Sequence, residues 1–417
     1  MKKNKLVLLI ASSMLLSSCS LFNDSDLEKP NSYNPPITSS EKEPPEASVN
    51  GVDAQRVEGL DGILVFKNVG YADENEEVKN SYKTDFEYKI NDGKNYFSNV
   101  SNNNYDLYVP DSLNKSNKQT VILFIHGGAW VTGFKTDVNP YVHEFAKRGY
   151  ITATIKYTLL KKSMNDKSLS IFRNLDEIDA CIGSIKASLK ELGFNNLDLI
   201  IGGASSGAHL AMLYTYSRGD KCPLPIKFVV DAVGPTNIKE DSWKAFKEAT
   251  DEVLNNGITK SAIDTQRSAG NLKALDVSGE GYTWCEYQTM RIANGMCGIP
   301  YSLETVEASS SDKITVDDPT NEAYVSMTKA NGGEDLLSVT HYISSTSKFP
   351  IICAYSGKDS VVGIAQYATL EESLIANGVT HEYFYFKDSG HTDIDKDTAQ
   401  YNAFISKIDE WAKKDNI

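Results

Sequence analysis

The sequence predicts an α/β fold: a mostly parallel central sheet with helices on both faces and a large lid insertion late in the chain. Three observations carry that expectation. From about residue 60 onward, short apolar runs alternate with segments whose apolar residues recur at helical spacing. Several of those runs are continuously apolar rather than alternating, as strands buried on both faces must be. The rhythm then breaks once, over residues 238–345, for a length well beyond an ordinary connection.

The chain opens on Met1-Lys2-Lys3-Asn4-Lys5, a short basic stretch, followed by the apolar run Leu6–Leu16. Eleven residues are too few to cross a bilayer, which takes about 20 in a helix. A basic start, a short apolar core and small residues before a cut describe a secretory leader over residues 1–18. Leu16-Ser17-Ser18-Cys19 also resembles the bacterial lipoprotein signal. That resemblance implies acylation of Cys19, with palmitate among its acyl groups. It also implies a lipid anchor in a membrane of the cell envelope and a catalytic domain outside the cytoplasm. A plain signal peptide with an incidental cysteine is the alternative. Residues 19–55, rich in Ser, Pro, Glu, Asp and Asn, read as a solvated tether, and residues 56–417 as one domain.

Strands are expected at Ile63–Phe66, Phe86–Ile90, Tyr105–Val109, Val121–Ile125, Ile151–Tyr157, Leu197–Ile201, Phe228–Val233, Pro350–Tyr355 and His381–Phe386. The earliest resemble hairpin strands and predict an antiparallel edge. Helical stripes run through Ile178, Cys181, Ile182, Ile185, Leu189 and Leu192, and through Ile364, Tyr367, Leu370 and Leu374. The second ends at Asn377-Gly378, a C-cap signal. A last stripe comprises Tyr401, Phe404, Ile405, Ile408 and Trp411. The insertion holds helical material, aromatic residues such as Trp243, Tyr282 and Trp284, and a polar run at Ser309–Asp312, and reads as a lid or binding surface.

Composition narrows the function. The formal net charge is −14, and −17 once the leader takes Lys2, Lys3 and Lys5 with it, so nucleic acid is not an expected partner. With Cys19 acylated, five cysteines remain, an odd number. Cys285 and Cys297 form a candidate disulfide in the insertion; Cys181 and Cys353 fall on core positions. No CxxC pair or HExxH occurs, so neither a metal nor an organic cofactor is expected.

Two motifs carry chemistry. Gly203-Ala204-Ser205-Ser206-Gly207 is a G-x-S-x-G sequence between a predicted strand and a predicted helix, the setting of a nucleophile elbow. Upstream, His126-Gly127-Gly128-Ala129-Trp130 directly follows the strand Val121–Ile125, and its glycines allow main-chain N–H groups to face a developing oxyanion. A serine needs a base, and the chain has six histidines. His126 belongs to the glycine loop, where it is expected to hold the loop by hydrogen bonds. His209 lies on the helix that carries Ser205, facing away from the open side of the elbow. His143, His341 and His381 sit on a surface helix, the return from the insertion and a strand start. His391, in the polar loop Asp388–Asp393 at the end of the last strand, is the expected base. Asp359, in the loop after Pro350–Tyr355, is the expected orienting acid, with Asp388 and Asp393 as weaker candidates.

These residues, together with Tyr105-Asp106-Leu107-Tyr108-Val109-Pro110, resemble the α/β-hydrolase superfamily. Within it they look like the bacterial esterases related to hormone-sensitive lipase and the carboxylesterase-like subgroup with an HGGxW loop. The resemblance covers roughly residues 60–417 apart from the insertion. It implies Ser205 as nucleophile, His391 as base, Asp359 as its partner, and oxyanion donors from the main chain of Gly128, Ala129 and Ser206. Two departures stand out: Lys156-Tyr157-Thr158-Leu159 lacks the arginine often found after that tyrosine, and the insertion is longer than usual. The expected activity is hydrolysis of small-molecule or polysaccharide esters through an acyl-enzyme. The alternatives are an amidase or formamidase on the same three residues, or a non-catalytic surface binding protein on a hydrolase fold.

Overall fold

The computed structural model describes residues 46–71, 103–128, 130, 133–158, 171–237, 337–346, 349–359 and 361–414. Cys19 and the leader, the strand expected at Phe86–Ile90, Ala129, and Cys285 and Cys297 lie outside the described residues, as do positions 238–336 of the insertion.

The described chain begins with strands β1 (Ser48–Val49) and β2 (Val52–Asp53), paired across Asn50-Gly51. Both turn residues have positive φ, 44° and 72°, the backbone of a two-residue hairpin that Asn-Gly tolerates best. The tether expected over residues 19–55 is therefore corrected at its end. Val49 is fully buried and Gln55 pairs with Val65, so the folded domain already includes residues from about 48.

Among the described residues, eight further strands form one sheet. In chain order they are β3 (Ile63–Gly70), β4 (Asn104–Pro110), β5 (Gln119–Ile125), β6 (Ile151–Ile155), β7 (Leu197–Ala204), β8 (Ile226–Ala232), β9 (Ile351–Ser356) and β10 (His381–Phe386). Their spatial order is β10-β9-β8-β7-β5-β6-β4-β3. β3 and β4 pair antiparallel, as do β4 and β6, and every other pairing is parallel, which gives the expected antiparallel edge. β5, β6, β7 and β9 are buried along nearly their whole length, as their unbroken apolar runs require.

Among the described residues, five helices cover the sheet: α1 (Asn139–Lys147), α2 (Ile171–Glu191), α3 (Ser206–Arg218), α4 (Ala365–Asn377) and α5 (Thr398–Ala412). On one face, Ile178, Ile182, Leu210, Leu213, Leu370 and Leu374 from α2, α3 and α4 join a single core with the sheet. On the other, Val142 and Phe145 of α1 pack with Phe404 and Ile408 of α5. The three predicted stripes are buried for most of their length, except that Ile364 precedes α4 and is exposed, while α3 is buried on all sides from Ser206 to Tyr216. α2 starts earlier than the stripe from Ile178 implies, and Gly378 ends α4 in the left-handed conformation at φ 64°. Cys181 and Cys353 are core residues, and burial pushes both thiols well above their usual range.

The sheet positions the site in one respect above all. β5 and β7 are neighbours, but the chain leaves β5 toward β6 on one side and β7 toward β8 on the other. At such a switch point the loops at the carboxyl ends of β5 and β7 part and leave a crevice, the usual place of a ligand in an open α/β sheet. The glycine loop follows β5 and the G-x-S-x-G turn follows β7.

The insertion leaves and rejoins the domain at one point. Oε1 of buried Gln366 accepts from the N–H groups of Thr236 (2.6 Å) and Asn237 (2.9 Å). Returning, Thr340 N–H donates to the Thr236 carbonyl at 3.3 Å. On the returning side, Leu337 and Val339 are buried, and the His209 ring bonds the Leu337 carbonyl.

Candidate active site

Ser205 has φ 55° and ψ −123°, a conformation that side-chain-bearing residues rarely adopt. Its N–H donates to the Ala232 carbonyl (2.8 Å), and its carbonyl accepts from His209 N–H (3.0 Å) as the first bond of α3. The turn is sharp because Gly203 and Gly207, two residues to either side, have no side chains. A methyl group on Gly207 would sit 2.1 Å from the Ile125 carbonyl oxygen, which is backbone and cannot move aside. A methyl on Gly127 would lie 2.8 Å from the Ala204 carbonyl oxygen and 3.2 Å from Ser205 Cβ. Glycine at these positions lets the loop after β5 lie directly against the serine turn.

The other two residues arrive from neighbouring strand ends. Gly357 N–H donates to the Phe386 carbonyl (2.9 Å) and Lys358 N–H to the Ser389 carbonyl (3.0 Å), so the loops after β9 and β10 are joined through their main chains. This places Asp359 Oδ2 2.7 Å from His391 Nδ1, and His391 Nε2 2.9 Å from Ser205 Oγ. A carboxylate only accepts, so Nδ1 carries the imidazole proton and Nε2 is left to accept from the serine hydroxyl. The Asp359 side chain is fully shielded and that of His391 is 16% exposed. The other Asp359 oxygen, Oδ1, accepts from the N–H groups of Val361 and Val362, both at 2.8 Å. The weaker acid candidates are occupied elsewhere. Asp388 pairs with Lys358 at the surface, which draws its carboxyl below the usual range, and Asp393 accepts from Gly390 N–H.

His126 and His209 fall where the sequence put them. His126 Nδ1 bonds the Gly127 carbonyl (2.8 Å), and its ring stacks on Tyr157 at 4.4 Å. The Tyr157 hydroxyl donates to the His126 carbonyl (3.2 Å), fixing the start of the glycine loop. His209 is fully buried, edge-on to Trp130 at 5.3 Å, with Nε2 2.7 Å from the Leu337 carbonyl. Burial lowers both rings to about 4, so they are neutral at physiological pH. Gly128 lies in the loop at φ 110° and Ser206 opens α3, whose N-terminal N–H groups carry the positive end of the helix dipole.

Asp231, under the serine turn, was missed in the sequence. It lies at the end of β8, immediately before the Ala232 carbonyl that accepts from Ser205 N–H. Tyr355 Oη lies 2.6 Å from both Asp231 Oδ2 and the Gly234 carbonyl oxygen. The Tyr355 hydroxyl donates toward both acceptors, and one proton is shared between them. Burial pushes the Asp231 pKa up to about 7, against the pull of the Tyr355 hydroxyl and Gly234 N–H. A carboxyl raised above its unfolded value stabilises the fold below that unfolded value, and the contribution is lost as pH rises through about 7. Asp231→Asn keeps an acceptor and removes the titrating charge. Its melting temperature relative to the parent is expected to rise between pH 5 and pH 8.5; a constant difference would contradict the raised pKa of Asp231. The signal was a lone carboxylate inside the apolar run Phe228–Val233.

Residues 105–274, under half of the chain, match the BD-FAE family model, a span that includes the glycine loop and Ser205 and ends before Asp359 and His391. Among curated proteins, the non-reducing polyketide synthase Preu3 of Preussia isomera is 20% identical over 328 residues, 73% of this chain and 12% of the synthase. The synthase atr1 of Stereocaulon alpinum is 25% identical over 146 residues, 33% of this chain and 6% of the synthase. The chain thus spans 12% or less of the length of these relatives. Of solved structures, esterase B from Lactobacillus rhamnosis superposes with a TM-score of 0.49 at 13% identity, covering 84% of this chain and 87% of that one. A truncated carbohydrate esterase from gut microbiota superposes with a TM-score of 0.48 at 15% identity, covering 84% and 96%. By its strand order and its family match, the fold is that of the α/β-hydrolases.

Proposed function

We propose that the protein is a serine hydrolase of carboxylic esters. The observation that carries this reading is the contact series Ser205 Oγ–His391 Nε2–Asp359 Oδ2, at 2.9 and 2.7 Å, on three strand ends beside a glycine loop. Ser205 attacks the ester carbonyl while Nε2 takes its proton, and Asp359 holds the tautomer and the imidazolium. Main-chain N–H groups of Ser206 and of the loop at Gly128 hold the oxyanion, with Ala129 assigned to the same role by family resemblance. His391 returns the proton to the leaving alkoxide. Water activated by His391 then opens the acyl-enzyme.

Small or carbohydrate-linked esters outside the cytoplasm are the substrates that fit a lipoprotein leader. A panel of short p-nitrophenyl esters, the matching anilides and acetylated xylan tests the reaction class. Esters are expected to turn over and anilides to lag by orders of magnitude. Anilides cleaved as fast as esters, or inert esters, would count against the reading. The address has its own test: labelled palmitate is expected in the protein and absent from Cys19→Ser, and label retained in that variant would contradict acylation of Cys19.

A further inference from the structure

The reaction just described makes no use of a buried lysine that follows the glycine loop. Lys135 opens the short turn Lys135–Val138 and is 9% exposed. Its ammonium meets three acceptors: Asn68 Oδ1 at 2.6 Å, Asn104 Oδ1 at 2.5 Å and Asp106 Oδ1 at 2.5 Å. An ammonium has three N–H donors, so the cluster satisfies it completely. Asn104 and Asp106 belong to β4. Asn68 lies where the register of β3 shifts, at φ 59°, and gives its own N–H to the same Asp106 oxygen at 2.8 Å. Burial lowers the pKa of the ammonium while Asp106 pulls it back up.

What this cluster holds is the far end of the glycine loop. The near end is fixed by the His126–Tyr157 stack and by Gly127 against the serine turn. The chain returns at Gly133, φ 100°, where a methyl group would stand 2.4 Å from the Gly127 carbonyl oxygen and 2.6 Å from His126 Nδ1. The return therefore lies on the departure, backbone against backbone. Phe134 N–H donates to Asp137 Oδ2 and Asp137 N–H to the Phe134 carbonyl, at 2.8 and 2.9 Å, so the turn behind Gly133 is closed on itself. Among the described residues, the Lys135 ammonium is the polar side-chain tie from this turn to the sheet, beside the apolar packing of Val138.

We propose that Lys135 is a positioning residue for the oxyanion-binding loop. Its ammonium, held by Asp106, Asn68 and Asn104, fixes Gly133 and through it the Gly127–Gly128 main chain beside Ser205. The inference rests on the serine-hydrolase reading above. Oxyanion donors act only within about 2.7–3.1 Å of the charged oxygen, so a small shift of the loop lowers the rate and leaves ground-state binding almost untouched.

The test separates positioning from stability. Lys135→Met alone strands a buried carboxylate and is expected to lower the melting temperature. Adding Asp106→Asn removes that charge and keeps an acceptor for Asn68 N–H. This double variant is expected to melt near the parent with kcat still about 10- to 100-fold lower and KM within about threefold. Its affinity for a phenylboronic acid, which forms a tetrahedral adduct, is expected to fall in step with kcat/KM. Lys135→Arg keeps the charge, but a planar fork cannot aim at three acceptors set around an ammonium, and about a tenfold loss in kcat is expected. Parent kcat and boronate affinity in any of these variants that folds would overturn the proposal. Absence of ester turnover in the parent would count against the hydrolase reading itself.

Discussion

Ser205→Ala is expected to lower kcat for ester hydrolysis by about a million-fold, the scale of losing a nucleophile that acts in concert with its base. Only Oγ is removed. The turn that carries it stays, because it is held by Ser205 N–H on the Ala232 carbonyl and by the close approach of Gly207 to Ile125. Alanine meets the same positive φ as serine, so the melting temperature is expected within a few degrees of the parent. A residual acceleration over water of about 10³- to 10⁴-fold is expected from the oxyanion donors and substrate binding. Steady-state kinetics on a short p-nitrophenyl ester, with a thermal melt on the same preparation, read both quantities. A folded variant with parent-like kcat would remove Ser205 from the mechanism.

Asp359→Asn is expected to cost about 10⁴-fold in kcat although it is nearly isosteric. The reason lies in the other carboxylate oxygen. Oδ1 accepts from the N–H groups of Val361 and Val362. The side-chain amide introduced by Asp359→Asn must keep its oxygen there, because its NH₂ would face two donors. The NH₂ then takes the place of Oδ2 and points at His391 Nδ1. A donor at that point makes Nδ1 the acceptor and moves the imidazole proton to Nε2, where it faces the Ser205 hydroxyl that should give up its own. The asparagine variant is therefore expected to be no better than Asp359→Ala. Activity near the parent in Asp359→Asn would show that the tautomer is not set by this contact.

The residues of this relay were legible in the sequence because each marks the end of a buried strand. Gly203–Gly207 sits between an apolar run and a helical stripe, and Asp359 and His391 lie in polar loops after two later runs. Continuous apolar strands give the sheet, and α/β sheets gather chemistry at their carboxyl ends, so order along the chain came close to giving order in space. The β1–β2 hairpin was hidden by its surroundings. Asn50-Gly51 between Val49 and Val52 is a strong hairpin signal, but it follows a Pro- and Glu-rich stretch whose composition outweighed it. Lys135 was invisible for a different reason. Its acceptors lie 29 to 67 residues away, one of them in a strand irregularity, and no local period encodes such a meeting. Asp231 was visible as an oddity, a carboxylate in an apolar run, but its partner Tyr355 stands 124 residues downstream on the neighbouring strand.

The central claim is that Ser205 is a nucleophile activated by His391 and Asp359. Treatment with a fluorophosphonate, followed by digestion and mass spectrometry of the labelled peptide, tests it most directly. The adduct is expected on Ser205, stoichiometric in the parent, strongly slowed in Asp359→Asn and absent in Ser205→Ala. A parent that stays unlabelled while folded, or an adduct on another residue that persists in Ser205→Ala, would contradict it.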